Sequence, residues 1–157
     1  MEPIVDYLIL EDLLVKHIKQ AMPDLKAVMT AMDLSKVSEG SKVEPAAHVI
    51  YLGDEVGEGA SSQGGTGAAQ VVTQIWMVVL VVKFAGTVTT GKGNREKAGP
   101  LIAQLLKALC GWQPVDGEVR VPLTTLRRTH APKVGYDKGF AYYPYAFKTT
   151  HVLLGKS

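Results

Sequence analysis

Few stretches of this 157-residue chain combine residue types and spacing that chemistry could use. The nearest is GASSQGGT at residues 59–66, one letter from the phosphate-binding pattern G-x-x-x-x-G-K-[ST], with Gly65 where the lysine belongs. Such a loop works because backbone N–H groups at a helix N-terminus ring the phosphates while the lysine neutralises them. Here the lysine is missing. The residues next in the chain, AAQVVTQIWMVVLVV, are rich in β-branched types, so a strand is expected behind the glycines and no helix dipole would face an anion. The closing LGKS has the missing letters but places Thr150 at the first glycine and ends at Ser157. Gly57 and Gly59 begin a dinucleotide fingerprint that fails at Ser62, where a third glycine is required. A nucleotide-binding domain is therefore a remote reading, and a mobile hairpin tip the better one.

Metal and nucleophile chemistry find as little support. His17, His48, His130 and His151 fall on an expected helix, strand, loop and strand, with no H-x-x-x-H or H-x-E spacing to converge ligands. Each reads as an ordinary surface or half-buried residue. Cys110 sits at the C-terminal end of an expected helix, where the dipole disfavours a thiolate, and reads as an inert packed thiol. As the only cysteine it allows no internal disulfide, which suits a reducing compartment. No catalytic residue, cofactor or metal ligand is expected. The densest basic run, RRTHAPK at 127–133, has Lys138 nearby, and Lys92, Arg95 and Lys97 make a smaller one. With a formal net charge of only +2 and few interleaved aromatics, both read as solvated loops or contacts with acidic protein surface before nucleic-acid sites.

The elements that must hold these residues emerge from periodicity. Between residues 6 and 22, Leu10, Leu13, Leu14, Ile18 and Met22 recur at helical steps, and Pro23 stops the helix. A short strand near 26–31 and a helical turn capped by Asp33 come next. Residues 46–52 and 71–85 are apolar runs of strand type; in the second, Trp76, Val78, Leu80, Val82 and Phe84 alternate with Ile75, Met77, Val79 and Val81, as in a strand covered on both faces. Between them residues 53–70 form a flexible glycine-rich hairpin loop. After the loop at 86–97 comes a second amphipathic helix, with Leu101, Ile102, Leu105, Leu106 and Leu109 on one face and Pro100 in its first turn. Gly111 suits a left-handed helix end, with Trp112 folding back on Leu106 and Pro114 preventing continuation. Two further strand regions carry Pro122 and Pro144, which point to an edge or a bulge. The order predicts an α+β fold, residues 1–157 as a single domain, with a mostly antiparallel sheet, two main amphipathic helices and the long hairpin loop. The acidic N-terminus is no signal peptide, and no apolar run approaches the ~20 residues of a membrane-spanning helix, so a soluble protein is expected.

Five blocks, in order, give the chain a resemblance. They are AMPDLKAVMTAMDL at the end of the first helix, PAAHVIYL at 45–52, the strand opening QIWMVV at 74–79, ALCGWQP at 108–114, and the Tyr/Phe-rich strand at 141–151. In this order the chain resembles the tail terminator proteins of tailed bacteriophages, also called tail completion or minor tail proteins. The resemblance implies a structural subunit, not an enzyme, that assembles as a homo-hexameric ring on the tail tube protein at the head-proximal end. It implies that the ring ends tube polymerisation and accepts a head-completion or connector protein, with DNA passing through without specific binding, no membrane partner, and a place in the virion after assembly in the host cytoplasm. Another phage neck or head-completion protein is the alternative. Candidate interface residues are Glu55, Glu58, Ser61, Gln63, Thr66, Lys92, Arg95, Arg127, Arg128 and Lys133. Under this reading the glycine loop, too poor in apolar area to order alone, orders against a neighbouring ring.

Overall fold

A computed structural model describes residues 4–40, 43–57, 69–83 and 92–155. The elements are α1 (Leu10–Ala21), β1 (Ala27–Thr30), α2 (Leu34–Gly40), β2 (Ala46–Val56), β3 (Ala69–Lys83), α3 (Lys92–Leu109), β4 (Val115–Asp116), β5 (Val119–Arg120), β6 (Arg127–Thr129), β7 (Gly135–Asp137) and β8 (Phe140–Leu154). The main sheet runs β1-β2-β3-β8-β6, with β7 also on β8. Among the described strands only β1 and β2 pair in parallel; β3 is antiparallel to β2 on one side and β8 on the other. The architecture is α+β with a mostly antiparallel sheet, as the element order predicts.

The apolar run at the centre of the chain becomes the centre of the sheet because both its faces can be buried. Trp76, Val78, Leu80 and Val82 pack with Leu10, Leu14 and Ile18 of α1 and Leu101, Leu105 and Leu109 of α3. Met77, Val79 and Val81 face the other way, against Val37 of α2, Ile50 and Tyr142. Phe84, expected on the first of these faces, lies outside the described residues.

Several local expectations are met at the level of single bonds. The Asp33 carboxylate accepts the Lys36 N–H at 3.0 Å and the Ser35 hydroxyl at 2.6 Å, capping α2. Gly111 has φ +80° and turns the chain out of α3. Pro144 does stand where the sheet is locally an edge: β7 pairs with β8 up to Tyr142 and β6 pairs with it from Ala146. The proline therefore falls in the gap, where no outer strand asks for an N–H.

Other expectations need correction. α1 begins at Leu10, because Asp6 spends its side chain and carbonyl on a turn, accepting the N–H groups of Leu8 and Ile9. Pro100 is not in the first turn of α3: the helix starts at Lys92, inside the stretch expected as loop, and continues through the proline. Pro100 is solvent-exposed and the flanking Ala98 and Leu101 are buried, so packing holds the helix together where a backbone bond is lost. Trp112, which like Leu106 packs against the main core cluster, also stacks flat on His17, ring centroids 4.0 Å apart, a contact not expected from the sequence. The strand expected from Val119 breaks into β5 and β6, and the irregular chain between is tied by the Gln113 amide, which donates to the carbonyls of Val121 and Leu123 at 3.1 and 3.0 Å.

Candidate assembly surface

β2 and β3 make a hairpin whose β2 strand leaves the core toward its tip, while Val72 and Gln74 opposite it on β3 stay buried. Ala46 to Ile50 are buried, whereas 54–56 are exposed, so the same strand is core at one end and arm at the other. A bulge between Tyr51 and Gly53, where Gly53 takes φ +112°, marks the change. Past it the pairing resumes and continues to Val56 opposite Val72, with the Gly57 N–H donating to the Val71 carbonyl at 2.7 Å. Both strands thus reach into the stretch expected as loop. The arm carries exposed Leu52 and Val56, and the end of β8 beside it adds exposed Leu153 and Leu154.

The arm is anchored by a polar cluster that sequence reasoning missed. Gln74, fully buried, accepts the Trp76 indole N–H at 3.0 Å and donates to the Tyr7 carbonyl at 2.8 Å. The Tyr7 hydroxyl donates to the Asp54 carboxylate, and its ring meets His151 edge-on at 5.2 Å. Burial, with the neighbouring Asp54 charge and hydrogen bond, pushes the Tyr7 phenol well above its ordinary value, so it stays a donor. Residues ahead of α1 are thereby fastened across the α1/α3 face of the sheet. One sign was present: from Gln74 to Val82 the strand holds a single polar side chain, the Gln74 amide.

Two of the four histidines are more buried than expected. His48 is 5% exposed and His151 2%, and burial lowers the pKa of both. Each stands on a strand that the sheet's neighbours cover. His17 is half-buried, its Nε2 donating to the Ala108 carbonyl at 2.9 Å, and His130 is exposed. Cys110 is exposed, not packed, because it lies just past the last buried residue of α3, Leu109. Among the described residues no group of three His, Cys, Asp or Glu could hold a metal ion, and no helix is long and apolar enough to cross a membrane. Beyond the glycine stretch 59–66 the chain runs as strand from Ala69, as the β-branched pattern indicated.

The candidate interface residues are dispersed. Glu55 is exposed on the outer part of β2. Arg127 and Arg128 are adjacent and exposed on β6, at the opposite edge of the sheet. Arg127 reaches the Thr150 hydroxyl at 3.4 Å, and the Arg128 guanidinium lies over the Tyr145 ring at 5.2 Å from its centroid. Lys133 lines a largely apolar groove of about 410 Å³ with Leu34, Tyr136 and Pro144. Arg95 is exposed near the start of α3, and Lys92 opens that helix. Glu58, Ser61, Gln63 and Thr66 lie outside the described residues. The structure therefore brings Arg127 and Arg128 together and sets Glu55 across the sheet from them.

Fold and surface define a small α+β subunit whose distinguishing features, an arm and two charged edges, lie on its exterior. A family model for phage tail terminator proteins matches residues 5–156. The chain belongs to that family, a structural family of the phage tail, and its five blocks fall on α1 to β1, β2, β3, the end of α3, and β8. A comparison with curated proteins gives no match.

Proposed function

We propose that this subunit forms a homo-hexameric ring that caps the head-proximal end of the tail tube, stops its polymerisation and presents a surface to a head-completion protein. The family supplies the class; the β2–β3 arm supports the finer reading. It leaves the core with exposed Leu52 and Val56, an apolar area that a neighbouring subunit or ring would cover. A head-to-tail contact between identical subunits that closes on itself saturates instead of growing, which suits a terminator. One side of the ring then resembles the tube and docks on it, while the other refuses further tube subunits. Electron microscopy of the protein mixed with tail tubes tests this: a ring at one end only is expected. Particles lacking the protein are expected to carry overlong tubes. Tubes of normal length that fail to join heads would instead assign it to the neck.

A further inference from the structure

Among the described residues the sheet has two unpaired edges, and they differ in charge. On one side β1 covers β2 only from Ala46 to Val49, so no described strand pairs with the outer side of β2 from Tyr51 to Val56. This stretch presents Asp54 and Glu55. On the other side β6 ends the sheet, and it presents Arg127 and Arg128. Unpaired strand edges are templates for another strand, and charges on them decide which strand is admitted. Two β2 edges would set acids against acids, and two β6 edges arginines against arginines. Only the unlike pairing brings opposite signs together.

We infer that the ring of the proposed function is built by antiparallel pairing of the β2 edge of one copy with the β6 edge of the next, Asp54 opposite Arg128 and Glu55 opposite Arg127. The inference rests on that reading and names its subunit contact. Direction agrees: successive antiparallel pairings through β3 and β8 leave β6 antiparallel to β2, so copies placed side by side meet as an antiparallel pair. Facing agrees as well. Asp54 meets Tyr7, and Arg128 covers Tyr145, both on the α1/α3 face. Glu55 pairs with Thr73, whose hydroxyl meets that of Thr150, and Arg127 reaches the same Thr150, on the α2 face. One register therefore satisfies both charge pairs without turning a side chain through the sheet.

The register also fixes an offset. Within one copy Arg127 lies level with Gly53, through Lys148 and Ile75. Joining it to Glu55 of the neighbour shifts each copy by two residues, about 7 Å along the strands. A sheet that closes on itself requires such a stagger, whereas a flat ribbon does not. Opposite edges of one molecule joining in this way form a head-to-tail contact, which generates a ring when the rotation between copies closes.

Disulfide trapping and charge reversal test it. In a Cys110→Ser background, Glu55→Cys with Arg127→Cys is expected to give, on oxidation, a ladder of covalent multimers on a non-reducing gel. Within one chain the two positions are three strand spacings apart, about 14 Å, too far for a bond. Glu55→Arg or Arg127→Glu alone is expected to raise the concentration at which rings form at least about tenfold, read by sedimentation velocity. The double reversal Glu55→Arg with Arg127→Glu should restore it, which a merely misfolded variant would not. Rings that form normally in both single variants, or that yield no ladder, overturn this contact while leaving the capping function standing. Dimers trapped by Glu55→Cys alone would overturn it too, as a like-with-like edge. A wild-type chain that makes no ring, with or without tubes, removes the parent reading and this contact together.

Discussion

At the scale of single residues, the two buried histidines make stability depend on pH. His48 and His151 have pKa values lowered from the ordinary 6.5, in each case chiefly because burial penalises the charged ring. For His151 the Val152 backbone and the Asp54 carboxylate work the other way without reversing the direction. Below pH 6.5 the unfolded chain takes up protons that the folded chain refuses, so stability falls with falling pH until the lowered native values are reached. The slope for each histidine within that window cannot exceed about 1.4 kcal/mol per pH unit. Thermal or urea unfolding at about pH 7.5 and about pH 5.5 should show the loss, and His48→Gln should flatten it. Glu44 adds a separate effect at lower pH. Burial opposes its ionisation, but hydrogen bonds from Lys97, at 2.5 Å, and the Lys83 N–H hold its carboxyl below the ordinary 4.5, so stability is lost as pH drops under that value. None of this is visible in the sequence, where a histidine in a strand looks the same whether or not another strand covers it.

At the scale of elements, α3 shows how packing overrides a local rule. A proline nine residues into a helix removes a hydrogen bond and crowds the preceding turn, at a cost of up to about 3 kcal/mol in an exposed helix. The helix persists because Ala98, Leu101, Leu105 and Leu109 are buried on the sheet. Pro100→Ala is expected to stabilise the protein by about 1–3 kcal/mol, measured as a higher urea midpoint at unchanged slope. The long elements were legible: the two-residue alternation of β3 and the helical spacing of α1 each specify a buried face whatever surrounds them. The breakpoints were not. Where β2 stops being core and becomes arm depends on how far β1 runs alongside it, and that pairing joins residues far apart in the chain.

At the scale of the whole molecule, the charged edges predict how assembly responds to salt. In the proposed ring contact, a pair such as Glu55 with Arg127 would be screened once the Debye length falls below its separation. Raising salt from about 0.05 M to about 1 M should therefore weaken ring formation, as seen by sedimentation velocity, while leaving the unfolding midpoint of the subunit nearly unchanged. A contact dominated by Leu52 and Val56 would instead strengthen or hold, since apolar burial is not screened.

Sequence alone determined the class of fold, the family and the failure of the phosphate-loop pattern at 59–66, because each rests on short-range information: residue periodicity, the order of blocks, and the β-branched residues next to a glycine run. It nominated Glu55, Arg127 and Arg128 separately, but could not relate them. Only the tertiary structure put the acid on one edge of a sheet and the arginines on the other, buried His48 and His151, and joined Tyr7, Asp54, Gln74 and Trp76 into one cluster. The physical reason is sequence distance. A strand's two faces are written in its own alternation, whereas its two edges are defined only by which other strands arrive beside it.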